Sequence, residues 1–242
     1  MIVGAYITSE KIDAVLGRLS VIHRHLRPTQ FGADEDRPAN SHALDDGPKY
    51  RRFLAKNPSD YFLFAEQCRY QIARSFRSGY GTIFVDPIDP GLSDDDARAL
   101  FAAFRADAAV VFAFACQSSE YLHRNRVFTR IGANQIESWV GRDLGRYLPG
   151  LYWLTSIRGA RVAQIDQKAL PTGAPGFEFQ LGQEPAITIA NPNPSTDWET
   201  WAESIDAFCE SQSSIFSKNR ILPELQAAGS YNELSAILAR SR

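Results

Sequence analysis

The chain has 242 residues, 44% hydrophobic, 22% charged and 12% aromatic, which excludes a disordered or fibrous polypeptide. With 26 Lys and Arg against 28 Asp and Glu the formal net charge is -2, so the chain as a whole offers no cationic surface for a polyanion and no nucleic-acid partner is expected. Its longest uninterrupted apolar stretch, residues 108–116, is far shorter than the roughly 20 residues a membrane span requires, so no membrane partner is expected either.

Residues 1–7 read as a first strand: no basic residue precedes the apolar run, which breaks at Ser9-Glu10-Lys11, so a secretory signal is not expected. Residues 10–26 place Ile12, Val15, Leu16, Leu19, Ile22 and Leu26 on one helical stripe, with Thr8 or Ser9 as cap and Arg24, His25 and Arg27 at the negative end of the dipole. On such a helix His23 and His25, two residues apart, face different ways and read as dipole compensation rather than as metal ligands. Residues 28–49 form a long polar loop holding Asp34, Glu35, Asp36, Asp45 and Asp46 between prolines. A short helix over 50–56 and a longer one over 60–78, with Tyr61, Ala65, Cys68, Ile72 and Phe76 at helical spacing, are predicted next.

Residues 82–85 form a strand closed by a turn over 86–91. Ser93 and Asp96 then make a capping box for a helix to Arg105 that buries Ala97, Leu100, Phe101 and Phe104. Asp94, Asp95 and Asp96 diverge by about 100° per residue and cannot by themselves converge on one ion. The run 109–115 is apolar on both faces, as a covered central strand is. Residues 127–131 and 135–140 read as a hairpin with Gly132 or Asn134 at positive φ, and 177–181 with 186–190 as another. The chain finishes in helices, one opened by Thr196 with Glu199 and burying Trp198, Trp201, Ala202, Ile205 and Phe208, the last opened by Ser230 with Glu233 and bearing Leu234, Ile237 and Leu238. The sum is an α+β fold read as a single domain over 1–242, a central mixed and largely antiparallel sheet with helices packed on it, and 28–49 as an acidic loop insertion.

Chemistry is sparsely signalled. Phosphate-cradling, dinucleotide, serine-hydrolase and zinc-peptidase motifs do not occur, and Cys68, Cys116 and Cys209 lack metal-site spacing, so no cofactor, metal or catalytic residue is assigned and the thiols read as core residues of a cytoplasmic protein. The densest polar cluster, Gln117 to Asn125, follows the central strand. On a helix, Glu120 and His123 lie one turn apart and could pair as a general-base dyad beside Arg124. The structural alternative has Arg124 and Arg126 pair with Glu120 and Glu137 to hold the hairpin. Within the aromatic-rich stretch 147–155, the segment Pro149-Gly-Leu-Tyr-Trp153 reads as core, with an interface as its alternative.

The stretch 109–155 carries the strand Val110-Val-Phe-Ala-Phe-Ala115, the cluster Glu120-Tyr…His123-Arg-Asn125, Trp139-Val-Gly-Arg-Asp143 and Tyr147-Leu-Pro-Gly-Leu-Tyr-Trp-Leu154, and in these it resembles immunity proteins of bacterial type VI secretion and polymorphic-toxin systems. The resemblance implies a cytoplasmic, non-catalytic antitoxin whose partner is a cognate secreted toxin, neutralised by occlusion of its active site; self-association stays open. Partner contacts are then expected at Asp34, Glu35, Asp36, Asp45 and Asp46, as a polyanion facing a cationic cleft, and at Glu120, His123 and Arg124. Two other readings remain: an enzyme of another class using Glu120, His123 and Arg124, and a non-catalytic adaptor module.

Overall fold

Alternation of buried and exposed residues, more than helical periodicity, governs the first half of this chain. The computed structural model describes residues 1–35, 41–74, 79–88, 91–140, 144, 147–160, 162–166, 169, 177–180, 185–212 and 215–240. The strands are β1 (Ile2–Thr8), β2 (Gln30–Gly32), β3 (His42–Ala43), β4 (Asp60–Phe64), β5 (Cys68–Arg74), β6 (Tyr80–Pro87), β7 (Val110–Cys116), β8 (Arg126–Ile131), β9 (Asn134–Trp139), β10 (Leu154–Arg158), β11 (Phe177–Gln180) and β12 (Ala186–Ala190). The helices are α1 (Ile12–Arg18), α2 (Gly47–Lys56), α3 (Asp94–Arg105), α4 (Ser118–Asn125), α5 (Glu199–Ser211), α6 (Ser217–Ala227) and α7 (Tyr231–Arg240). The fold is α+β with a large antiparallel sheet, and contacts divide the chain into two compact units, residues 1–116 with 154–157, and 117–153 with 158–242. No helix among the described residues is long and apolar enough to cross a membrane.

In the first unit the strand order is β10-β7-β1-β6-β5-β4-β2-β3, with β1 antiparallel to both β6 and β7. Register puts Val3, Ala5 and Ile7 on one face with Ile83, Val85, Tyr70 and Ile72, all at 0% exposure. Ile12 of α1 is seated on this face over Gly81, where a Cβ would stand 2.1 Å from the Ile12 Cδ1, and α3 packs beside α1 against β1 and β7. The opposite face carries the rings of Tyr6, Phe84, Phe112 and Phe114 in edge and tilted contacts, with Gly4 leaving room for Phe114. The predicted capping box is present: Ser93 Oγ accepts from the Asp96 N–H, and the Asp96 carboxylate accepts from the Ser93 N–H.

The second unit contains two antiparallel hairpins, β8–β9 and β11–β12. Gly132 turns the first at φ 60°, as expected. Val127, Ile131 and Val140 from the β8–β9 region bury against Ile221, Leu225 and Ala228 of the α6 region and Leu234 of α7. Tyr152 and Trp153 are core at 0% exposure, the Tyr152 hydroxyl bonded to the Asn125 side chain and the Trp153 indole N–H donated to the Asn193 carbonyl.

Several sequence expectations are corrected. The helix over 10–26 is only α1 flanked by short 3-10 turns, and Ile22 is extended at φ -78°, ψ -179°. Ser20 Oγ donates to the Gly17 carbonyl at 2.7 Å, so a side chain competes with the helical ladder where two weak helix formers sit close together. Thr8 makes no side-chain cap. The helix over 60–78 is instead the β4–β5 hairpin, in which Tyr61 and Leu63, then Cys68, Tyr70 and Ile72, alternate inward; Phe76 lies outside the described residues. The loop over 28–49 contains β2, β3 and the start of α2, with Asp36 outside the described residues. Thr196 does not cap α5, whose N-cap is Trp198.

Candidate functional site

The polar cluster after β7 does form a helix, α4, and the spacing places Glu120 and Arg124 one turn apart on its buried side. Arg124 Nε donates to Glu120 Oε1 at 3.2 Å, the i, i+4 pairing expected of the structural alternative, and Arg126 lies 3.7 Å from Glu137 across the β8–β9 hairpin, as that alternative also expects. The other Glu120 oxygen accepts the Trp153 backbone N–H at 3.3 Å. From α5 comes Asp206, which sequence reasoning did not find: one of its oxygens accepts from Arg124 Nη1 at 2.6 Å and the other meets His123 Nε2 at 2.6 Å. The Lys218 ammonium donates to the His123 carbonyl at 2.6 Å, the Arg124 guanidinium lies 5.6 Å from the Trp201 ring centroid, and the His123 ring rests 5.3 Å from that of Trp198.

The electrostatics follow from burial. Glu120 is fully buried, which pushes its carboxyl up to about 7 against the opposing pull of the Arg124 guanidinium and the Trp153 N–H. Burial also disfavours the Arg124 charge, but the carboxylates of Glu120 and Asp206 outweigh it and hold the guanidinium above its ordinary range. The Cys209 thiol, buried beside them, is pushed up to about 12. The predicted Glu120–His123 dyad is therefore not formed: Glu120 turns to Arg124 while His123 turns to Asp206. Glu120 and Arg124, at 0% and 4% exposure, offer no surface to a partner, and of the three α4 residues expected to make contact only His123 is exposed. The arrangement ties α4 to α5 through a chain of ion pairs.

Comparison with known proteins brings no relative. No protein family, no curated protein and no solved structure matches the chain.

The described acidic loop residues, Asp34, Glu35, Asp45 and Asp46, are exposed and lie beyond opposite ends of the β2–β3 ladder. Asp34 and Glu35 follow the Gly32 end of β2, whereas Asp45 and Asp46 follow β3, whose Ala43 pairs with Gln30 at the other end of the two-stranded ladder. Arg69 Nη1 donates to the Glu35 carbonyl at 2.9 Å, and Asp46 caps α2 by accepting the Lys49 N–H at 3.0 Å. Proximity in sequence thus becomes two separated pairs in space.

Where the sequence keeps His23 and His25 apart, the structure brings them together. With α1 ended at Arg18 and residues 22–23 extended, the two imidazoles lie 5.6 Å apart by ring centroid, both directed at Asp96 of α3. His25 Nε2 is 2.7 Å and His23 Nδ1 3.8 Å from the same oxygen, Asp96 Oδ1. Hydrogen bonds from Ser93 and His25 outweigh the effect of burial and lower the Asp96 carboxyl below its ordinary range. The expectation that the three aspartates do not converge is met, since Asp96 alone of them joins this group.

Proposed function

We propose that the protein is a non-catalytic, toxin-neutralising binding protein of the immunity type, acting in the cytoplasm on a secreted bacterial effector. The observation that carries this reading is the charge network of the second unit, in which Arg124 pairs with both Glu120 and Asp206. The side chains best suited to acid–base chemistry are committed to one another: Glu120 and Arg124 are buried as a pair, and Asp206 joins Arg124 to His123. Such a network serves as an internal brace that rigidifies a surface for recognition. Three buried free thiols accord with a reducing compartment. The exposed acids Asp34, Glu35 and Asp45 supply negative charge at the β2–β3 end of the first sheet, where they steer encounter with a cationic partner without having to meet on one point of it.

The test is co-expression with the toxin encoded beside this gene in its native genome. Growth is restored by the wild-type chain and by a His123→Ala variant, and the two proteins purify as a stoichiometric complex. A D34N/E35Q/D45N variant, which spares the capping Asp46, associates more slowly and with a shallower salt dependence. Unrelieved killing in the presence of the folded chain would overturn the proposal.

A further inference from the structure

We propose that His23, His25 and Asp96 form a binding site for one divalent transition-metal ion of the zinc class, independent of the partner-binding reading above. The donor atoms already lie within 4.8 Å of one another, and the two imidazole nitrogens address a single carboxylate oxygen. Ligands about 2.0–2.1 Å from a tetrahedral ion stand about 3.3 Å apart. The distances of 2.7 Å and 3.8 Å to Asp96 Oδ1 bracket that spacing, so small side-chain rotations complete the site.

The surroundings hold the donors as outer-shell groups hold metal ligands. Asp96 Oδ2 accepts from the Ser93 N–H at 3.2 Å and from the Ser93 hydroxyl at 2.7 Å, so the capping box orients the carboxylate and leaves Oδ1 to the histidines. The histidine segment is pinned in turn: the His25 carbonyl accepts the Gln67 N–H at 3.2 Å, the His23 carbonyl accepts the Leu26 N–H at 3.0 Å, and the Tyr70 hydroxyl bonds to the Leu26 carbonyl. Asp94 and Asp95, in the same first turn of α3, offset the repulsion between a cation and the positive end of the helix. Cys68 stands outside the donor set, its Sγ 4.0 Å from the Leu26 carbonyl and its thiol pushed up to about 12 by burial.

Two imidazoles and one carboxylate suit zinc and its first-row neighbours rather than calcium or magnesium, which favour all-oxygen shells. Three protein ligands leave a coordination position for water or an external donor. A bound ion would fasten the segment around His23 and His25 to the first turn of α3, adding to the link that the 2.7 Å His25–Asp96 hydrogen bond makes between residues 71 positions apart.

The experiment uses the untagged full chain, stripped with chelator and titrated with Zn²⁺ by calorimetry and with Co²⁺ by visible absorption. The wild type binds one ion per chain, with the cobalt bands of nitrogen–oxygen coordination. His23→Ala weakens binding at least tenfold and His23→Ala/His25→Ala abolishes it, whereas His42→Ala binds as the wild type does. The side chain of His23 is 59% exposed, so its replacement leaves the fold intact and decides the matter even if Asp96→Asn fails to fold. A wild-type chain that takes up neither ion, or a His23→Ala chain that binds unchanged, overturns the proposal.

Discussion

Replacing Arg124 by Met tests the charge network most directly, because it removes two ion pairs of very different character while keeping most of the side-chain volume. The bond to Asp206, 42% exposed, is worth about 0–1 kcal/mol. The bond to Glu120 is another matter: with both side chains buried, loss of the guanidinium strands a carboxylate in an apolar site, which costs about 3–5 kcal/mol if the charge stays but only about 1–2 kcal/mol at pH 8 if the carboxylate takes up a proton. Glu120 can escape only by taking up a proton. Its carboxyl already sits at about 7 in the wild type and rises further without Arg124, well above the roughly 4.3 of an unfolded glutamate. A group with a raised folded pKa contributes stability fully below its unfolded pKa and loses it as pH rises through the folded one. The R124M deficit is therefore largest at pH 8, shrinks as pH falls through the folded pKa, and reduces near pH 4 to the lost Asp206 bond and packing. Adding Glu120→Gln, which still accepts the Trp153 N–H, recovers most of the loss at pH 8. Trp139, Trp153, Trp198 and Trp201, all four tryptophans of the chain, belong to the second unit, so urea titration followed by fluorescence reports the unit in question. A deficit under about 1 kcal/mol at pH 8, or one that does not shrink with acidification, would refute the account of Glu120 as a buried charge dependent on Arg124.

Gly4→Ala overpacks the aromatic face of the first sheet, since the new Cβ would lie 2.3 Å from a Phe114 ring carbon; a loss of about 1–3 kcal/mol is expected in urea unfolding followed by far-UV circular dichroism, which also reports the first unit, and a neutral result means the ring moves freely. Ser93→Ala removes the N-cap of α3 and one of the bonds that orient Asp96, costing about 0.5–2 kcal/mol by the same measurement. Cys68, Cys116 and Cys209 should resist a thiol reagent at pH 8 in the native protein and all react after unfolding, because each is buried and the thiols of Cys68 and Cys209 are pushed up to about 12; rapid labelling of either in the native state refutes that packing.

Local rules carried the reading wherever a signal and its consequence lie within one turn or one hairpin. The Ser93–Asp96 box, the Glu120–Arg124 pair, the Gly132 turn and the continuous apolar strand β7 were all legible, because their geometry is fixed by residues three to five positions apart or by a single conformational requirement. The β4–β5 segment was misread because its inward-facing residues, Tyr61, Cys68 and Ile72, also satisfy a spacing of seven and four. Only the additional inward positions Leu63 and Tyr70 distinguish alternation from a helical stripe. α6 is not legible in the sequence because Pro223 lies inside it, where proline normally marks an end; Ile221 and Leu225 bury against β8–β9, and that packing sustains the helix across the break.

The two charged clusters show the limit of that local logic. In each, an acid whose position is set by its own helix receives or supplies partners from a distant segment: Asp206 meets Arg124 across 82 positions and Asp96 meets His25 across 71. Neither pairing has a sequence period, because each depends on which elements the fold places side by side. The histidines add a subtler reason. Treating residues 10–26 as one helix turned a spacing of two into a divergence of about 200°, and that inference fails as soon as the helix does. Gly17, followed by Ser20 with its hydroxyl bonded back to the Gly17 carbonyl, ends the regular ladder; the extended Ile22 then resets the direction of the chain, and a spacing of two becomes the means by which two imidazoles reach one carboxylate oxygen. The point at which α1 stops is thus what creates the His23–His25–Asp96 group, so a change that lengthens the helix, such as Gly17→Ala with Ser20→Ala, should pull the imidazoles apart even though it touches none of the three residues.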